Sequence, residues 1–302
     1  MIVLALSCDR MSETAHEIAS QPACWRQAVA EVAPASTALP KRGERVAIVG
    51  CGTSWFIAQA YAALREAAGH GLTDAFAASE TPTGRTYDRW VALSRSGTTT
   101  EVARLMQELP ADALSVAITA VPGTPIPDAT GLSVFLAFAD ETSVVQTRFA
   151  TTALALLRAH LGEDLTDAIA DAERAIAEPL PVDVTTFDHF VFLGHGWSVG
   201  LANEAALKMR EAAQAHTESY PAMEYRHGPV SVAGQTTLVW ILGTGDPGVA
   251  ADIRTTGATV IEPTLDPMAE LVRTQRAAVA LAEARGLDPD HPRHLTRSVV
   301  LS

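Results

Sequence analysis

The sequence predicts an α/β fold of two similar lobes, each a parallel sheet flanked by helices. Three observations carry this expectation. Short β-branched runs end in glycine- or hydroxyl-rich turns and lead into helix-like segments. The same strand-and-turn pattern returns in the second half of the chain. A hydrophobic content of 48% in 302 residues supplies enough apolar material for two lobes of ordinary size.

Taken in order, a polar lead opens a helical stretch over about 12–33, and the linker APASTALPKRG follows. The apolar run Val46 to Val49 ends in Gly50-Cys51-Gly52-Thr53-Ser54, a buried strand entering a tight turn. Ala58, Ala62 and Leu64 then mark a low-bulk helix packed closely on the sheet. A second strand, Val91 to Leu93, runs into Ser94-Arg95-Ser96-Gly97-Thr98-Thr99-Thr100-Glu101 and another helix; a third, Ser115 to Thr119, meets the proline-rich VPGTPIP. Helices between about 148 and 180 join the halves. In Phe190-Val191-Phe192-Leu193-Gly194-His195-Gly196-Trp197-Ser198 the first strand and turn recur, with Gly50, Gly52, Ser54, Ala58 and Ala62 falling on Gly194, Gly196, Ser198, Ala202 and Ala206. The expected division is an N-terminal helical segment at 1–35, a first lobe at 36–165 and a second lobe with a C-terminal tail at 166–302.

The net charge of −13, from 35 acidic and 22 basic side chains, disfavours nucleic acid and anionic lipid as partners. A small anion remains compatible, because its site needs only a few aimed N–H groups and hydroxyls. Cys8, Cys24 and Cys51 are odd in number and scattered, which suits reduced cytoplasmic thiols rather than a disulfide frame or a metal site. Residues 2–7 are apolar but too short to span a bilayer and have no basic lead, and Met11 offers an alternative start.

Both turns of the first half suit an anion. The 50–54 turn lies where a strand meets a helix start. A dinucleotide fingerprint would require glycine at Trp55, and no G-K-[ST] is present, which excludes the usual NAD and nucleoside-triphosphate loops. In the 94–100 turn five hydroxyls crowd one glycine, more than helix capping uses. In the second half, Glu204, Lys208 and Glu211 share one helix face at i, i+4, i+7, and Arg210 points away. A solvated ion pair would explain them on an arbitrary helix, but this alanine-rich helix, which starts from a glycine turn, implies burial. Downstream, a polar loop over 218–229 carries His227 beside Gly228-Pro229, an imidazole suited to proton transfer near neutrality.

Together, Cys51-Gly52-Thr53-Ser54, Ser94-x-Ser96-Gly97-x-Thr99, Glu204-x-Ala206-Leu207-Lys208-x-x-Glu211, Glu224-x-x-His227-Gly228-Pro229 and Pro289-Asp290-x-Pro292-Arg293-x-Leu295 resemble the double-SIS (sugar isomerase) half of glutamine:fructose-6-phosphate aminotransferase. Its stand-alone relatives include amino-sugar-phosphate deaminases and sugar-amine deglycases. The resemblance implies that Ser54, Ser94, Ser96 and Thr99, with Thr53 nearby, hold a sugar phosphate. Arg95 stands where the family commonly has glutamine and would add a charge-assisted contact. Val144, Gln146 and Thr147 would line the sugar site, and Glu204 and Lys208 would frame it. Glu211 would shuttle a proton between C1 and C2, while His227, often contributed by a neighbouring subunit, would open the sugar ring; a homodimer is implied. No cofactor and no metal is expected.

Two departures shape the expected reaction. Nothing in these residues matches the family's glutamine-hydrolysing half, so glutamine is not expected as nitrogen donor. Arg297 stands where the aminotransferase has a lysine, and a guanidinium does not readily form a Schiff base. The expected activity is proton transfer at C2 of a hexosamine 6-phosphate, leading to isomerisation or deamination. Alternatives are dehydration of an N-acetylamino-sugar 6-phosphate and a non-catalytic sugar-phosphate sensor.

Overall fold

In the computed structural model, which describes residues 11–82 and 84–301, the Ser12 hydroxyl accepts from Ala15 N and caps α1 (Glu13–Ala19). The helical stretch expected over about 12–33 comprises two helices. It breaks at Ser20, whose hydroxyl donates to Glu17 O, and Pro22 in the first turn of α2 (Gln21–Ala35) has no N–H to continue the ladder. Cys8 and the apolar 2–7 run lie outside the described residues.

The first sheet comprises β1 (Val46–Gly50), β2 (Thr73–Ala77), β3 (Arg89–Leu93), β4 (Ser115–Thr119) and β5 (Leu132–Phe135). All pairs are parallel, in the order β2-β1-β3-β4-β5. Every residue of β1, β3 and β4 is buried, as a sheet covered on both faces requires. The crossovers carry α3 (Thr53–Ala67), α4 (Thr100–Glu108) and the one-turn α5 (Pro125–Asp128). The connecting helices α6 (Arg148–His160) and α7 (Thr166–Ala177) follow.

The second sheet, β7-β6-β8-β9, is also parallel: β6 (His189–Gly194), β7 (His216–Pro221), β8 (Thr237–Leu242) and β9 (Thr259–Ile261). Around it lie α8 (Ser198–Ala213), α9 (Pro247–Arg254) and α10 (Pro267–Ala284). In both sheets the chain leaves the first strand to one side and returns on the other. The crevice at the carboxyl end of such a switch point is where ligands settle. In the first lobe those ends carry the 50–54 and 94–99 turns.

The lobes share one apolar core, which includes Val46 and Ile48 from β1 and Phe190 and Phe192 from β6. Their leading helices, α3 and α8, touch backbone to backbone. A Cβ on Gly200 would lie 2.4 Å from Phe56 O. Beside this contact Asn203 Nδ2 donates to Gln59 Oε1 at 2.8 Å, and these two residues are themselves 144 apart, so a local twofold runs between the helices. The N-terminal helices join this body: Trp25 Nε1 donates to Thr151 Oγ1 of α6 at 2.9 Å. Among the described residues no helix is long and apolar enough to cross a membrane.

Candidate active site

Glycine sets the first turn. A Cβ on Gly50 would lie 2.7 Å from Ser54, and Gly52 adopts φ +52°, so α3 begins directly over the end of β1. The buried Ser54 hydroxyl makes no hydrogen bond to any described residue. In the second turn, Ser94 Oγ accepts from Gly97 N at 3.2 Å, and Ser96 Oγ accepts from Thr98 N at 3.2 Å. Gly97 has φ +67°, and a Cβ there would collide with Thr124 Oγ1. Thr99, at the start of α4, does not cap it through its side chain. These turns wall one end of a cavity of about 180 Å³.

Carboxylates and an ammonium wall the other end. Lys208 Nζ, fully buried on α8, donates to Thr53 Oγ1 at 2.9 Å and to Glu211 Oε2 at 2.6 Å, and lies 3.4 Å from Glu204 Oε1. Thr53 also donates to Glu204 Oε1 at 3.3 Å, while Glu204 Oε2 is buried without a partner. Burial pushes the Glu204 carboxyl up to about 8; Lys208 opposes that shift and the neighbouring Glu211 adds to it. Burial alone would lower the Lys208 ammonium, but the carboxylates of Glu204 and Glu211 outweigh it and hold it above its ordinary value. Burial likewise pushes the Cys51 thiol up to about 11, which makes it a neutral wall of the cavity.

The residues singled out from sequence divide into two groups. Thr53, Ser54, Ser94, Ser96, Thr99, Val144, Gln146, Lys208 and Glu211 line the cavity, and Gln146 Nε2 is buried there without a partner. Glu204 sits directly behind Lys208. Arg210 is on the exposed face, as its spacing requires. Arg95 lines the cavity but departs from the expected anion contact. Its guanidinium donates to Ser143 O at 3.0 Å and Arg297 O at 2.7 Å and lies 3.7 Å from Glu141, so it ties the tail to the 141–147 loop. Thr147 does not line the cavity: its hydroxyl donates to Glu141 Oε1, which caps α6 through Thr147 N and Arg148 N. Arg297 reaches the cavity wall and pairs with Asp140. His227, exposed at the end of a 3₁₀ turn anchored by the buried Tyr225, does not line the cavity.

Sequence reasoning named Arg293, Leu295 and Arg297 in the tail but missed Ser298. Ser298 Oγ lies 3.0 Å from Ser96 Oγ and 2.9 Å from Thr98 Oγ1, Thr100 N donates to Val299 O, and Leu301 N donates to Thr100 Oγ1. The C-terminal strap thus lies across the hydroxyl turn and adds its own hydroxyl to it. Among the described residues no group of three or more His, Cys, Asp or Glu could hold a metal ion.

The fold, two lobes each built on a parallel sheet, is that of sugar-isomerase (SIS) proteins. The sequence is homologous to the isomerase half of glutamine–fructose-6-phosphate aminotransferases: it is 25% identical to that of Sulfurisphaera tokodaii over 86% of this chain and 51% of the relative. The chain spans no more than about half the length of the curated relatives it matches, 27% in the case of the Nostoc enzyme. In structure it resembles a glucosamine-6-phosphate deaminase of Thermotoga maritima, with 25% identity, a TM-score of 0.78 and coverage of 96% of this chain and 100% of that one. It also resembles the C-terminal domain of the Francisella tularensis glucosamine-fructose-6-phosphate aminotransferase, with 20% identity, a TM-score of 0.81 and coverage of 94% and 99%. No protein-family model matches the chain.

Proposed function

We propose that the protein binds a hexosamine 6-phosphate, or a closely related sugar phosphate, and transfers its C2 proton without hydrolysing glutamine. The observation that carries this reading is one cavity with two chemically different ends. Ser54, Ser94, Ser96 and Thr99 offer hydroxyls at a helix start, and Glu211, oriented by Lys208, faces them. With the phosphate gripped at the hydroxyl end, binding energy remote from the reacting carbons sets their position against the carboxylate.

Ring opening is assigned to His227 of a neighbouring copy, in keeping with its exposure, and a homodimer is part of the proposal. The Glu211 carboxylate then takes the C2 proton while the electron pair moves toward the C1 oxygen. Return of the proton to C1 of a 2-amino aldose leaves an imine at C2, which water hydrolyses to a ketose phosphate and ammonia. With a 2-hydroxy substrate the same transfer is an isomerisation.

One observation favours a second outcome. Arg297 is a guanidinium paired with Asp140, unsuited to forming a Schiff base. Loss of the C3 hydroxyl as water from an N-acetylated substrate needs only the Glu211 base. A sensor would bind the sugar phosphate and leave its protons in place.

Solvent-deuterium incorporation at C2 of glucosamine, N-acetylglucosamine and galactosamine 6-phosphates, and at C1 of fructose 6-phosphate, tests the reading, with ammonia, ketose and enone followed in parallel. Exchange is expected with at least one of them, and Glu211→Gln is expected to slow it about 10²- to 10⁴-fold while binding persists. Tight binding without any exchange would instead identify a sensor.

A further inference from the structure

A second, shallower cavity of about 260 Å³ adjoins the first and shares Glu211 and Leu295 with it; its other walls are Arg210, Gln214, Arg293 and His294. We propose that it holds a carboxylate carried on the reacting end of the substrate, such as an acid substituent on the sugar nitrogen. This rests on the sugar-phosphate reading above and narrows its substrate class.

Charge is the first argument. In a chain of net charge −13, arginines such as Arg89, Arg158 and Arg273 pair with carboxylates. Arg293 is exposed and makes no ion pair or hydrogen bond with any described residue. Arg210 donates one N–H to Thr217 Oγ1 at 2.8 Å and pairs with no carboxylate. The one acid in the cavity, Glu211, is already balanced by Lys208 at 2.6 Å. Two guanidinium forks that make no ion pair with a described residue, and an imidazole, therefore surround a space beside the proposed base. A guanidinium fork matches the planar pair of oxygens of a carboxylate.

Backbone conformation is the second. Gln214 (φ +51°) and His294 (φ +64°) are the only non-glycine residues with positive φ among the described residues, and both stand on this rim. Glycine would make either turn without steric cost, so the side chains at these positions are kept at the expense of strain. Position supplies the third argument. Glu211 is the far wall from the phosphate hydroxyls, so a substituent entering this cavity leaves the sugar at C1 or C2. Arg210 and Gln214 are exposed, so the group can extend into solvent.

The test compares glucosamine 6-phosphate bearing an N-carboxymethyl group with its neutral N-hydroxyethyl analogue, by calorimetric binding and by C2 deuterium exchange. The wild type is expected to favour the carboxylate roughly tenfold or more, the worth of a charge-assisted hydrogen bond. Arg293→Gln and Arg210→Gln should bring that ratio toward one and Arg293→Lys should keep part of it, with circular dichroism confirming the fold. A ratio of one in the wild type, or a ratio unmoved in both glutamine variants, overturns this proposal while leaving the sugar-phosphate reading intact. No binding or exchange with any sugar phosphate removes both. Equal enhancement by free acetate would put the carboxylate on a separate ligand and overturn the substrate-borne assignment.

Discussion

The two lobes repeat one backbone and use it for opposite ends. After β1 and after β6, glycines at equivalent places let the next helix start against the strand end: Gly50 and Gly194 through close approach, Gly52 and Gly196 through φ of +52° and +55°. Ser54 then presents a hydroxyl to the cavity, whereas Ser198, its repeat partner, accepts from His195 N at 2.8 Å and donates to Leu242 O. The second turn diverges further. Ser94 to Thr100 crowd hydroxyls beyond β3, but Gly243-Thr244-Gly245-Asp246 follow β8, and Asp246 caps α9 with a carboxylate that would repel an anion. In the other direction, Glu204, Lys208 and Glu211 of α8 correspond to Ala60, Leu64 and Ala67 of α3. One lobe supplies the hydroxyls and the other the ionisable groups, so the cavity exists only where the two meet.

That division depends on the contact between α3 and α8, and Gly200→Ala is expected to give the largest loss of stability among the tests of it. The added methyl meets main-chain atoms, Phe56 O at 2.4 Å and Ala60 N at 2.8 Å, which cannot swing aside as a side chain would. A cost of about 1–3 kcal/mol, or more, is expected in urea unfolding. The alanine should also loosen the Thr53–Lys208 bridge and slow C2 exchange.

A paired substitution separates the two serines. Ser198→Ala leaves the buried Leu242 carbonyl and the half-buried His195 N–H without their partner and should cost about 1–3 kcal/mol of stability. Ser54→Ala breaks no hydrogen bond with a described residue, so its unfolding should stay within about 0.5 kcal/mol of wild type. Its affinity for a sugar phosphate should fall. If the two variants behaved alike, the lobes would not differ as argued.

Much of this asymmetry was legible in the sequence, for physical reasons. Glycine spacing reports close approach and positive φ, so the turns after β1 and β6 could be aligned by residue type alone. The i, i+4, i+7 spacing put Glu204, Lys208 and Glu211 on one face. What escaped depends on contacts with no local pattern. Ser298 meets Ser96 across 202 residues of chain. Glu141, a buried carboxylate that caps α6, draws Thr147 away from the cavity and flanks Arg95, and nothing adjacent to it in sequence marks it as a cap. The helix break at Ser20 was legible in Pro22, which opens the second helix, but it was not read as a boundary.

The smallest expected effect concerns the ionisable lobe alone. Glu204 titrates near 8 in the folded protein, above the 4.5 of the free side chain, so the folded state keeps a proton that the unfolded chain has released. Its contribution to stability is therefore complete below about pH 4.5 and is lost as pH rises through about 8. Glu204→Gln carries no charge at any pH and removes this dependence. Glu17, also raised by burial, is present in both proteins and cancels in the comparison. The neighbouring carboxylates hold the Lys208 ammonium above its ordinary value, away from this window. Urea unfolding at pH 6 and pH 9 should show wild type losing more stability between them than Glu204→Gln. Equal losses would mean that Glu204 is ionised in the folded protein at pH 6, with Lys208 serving two carboxylates rather than orienting Glu211 alone.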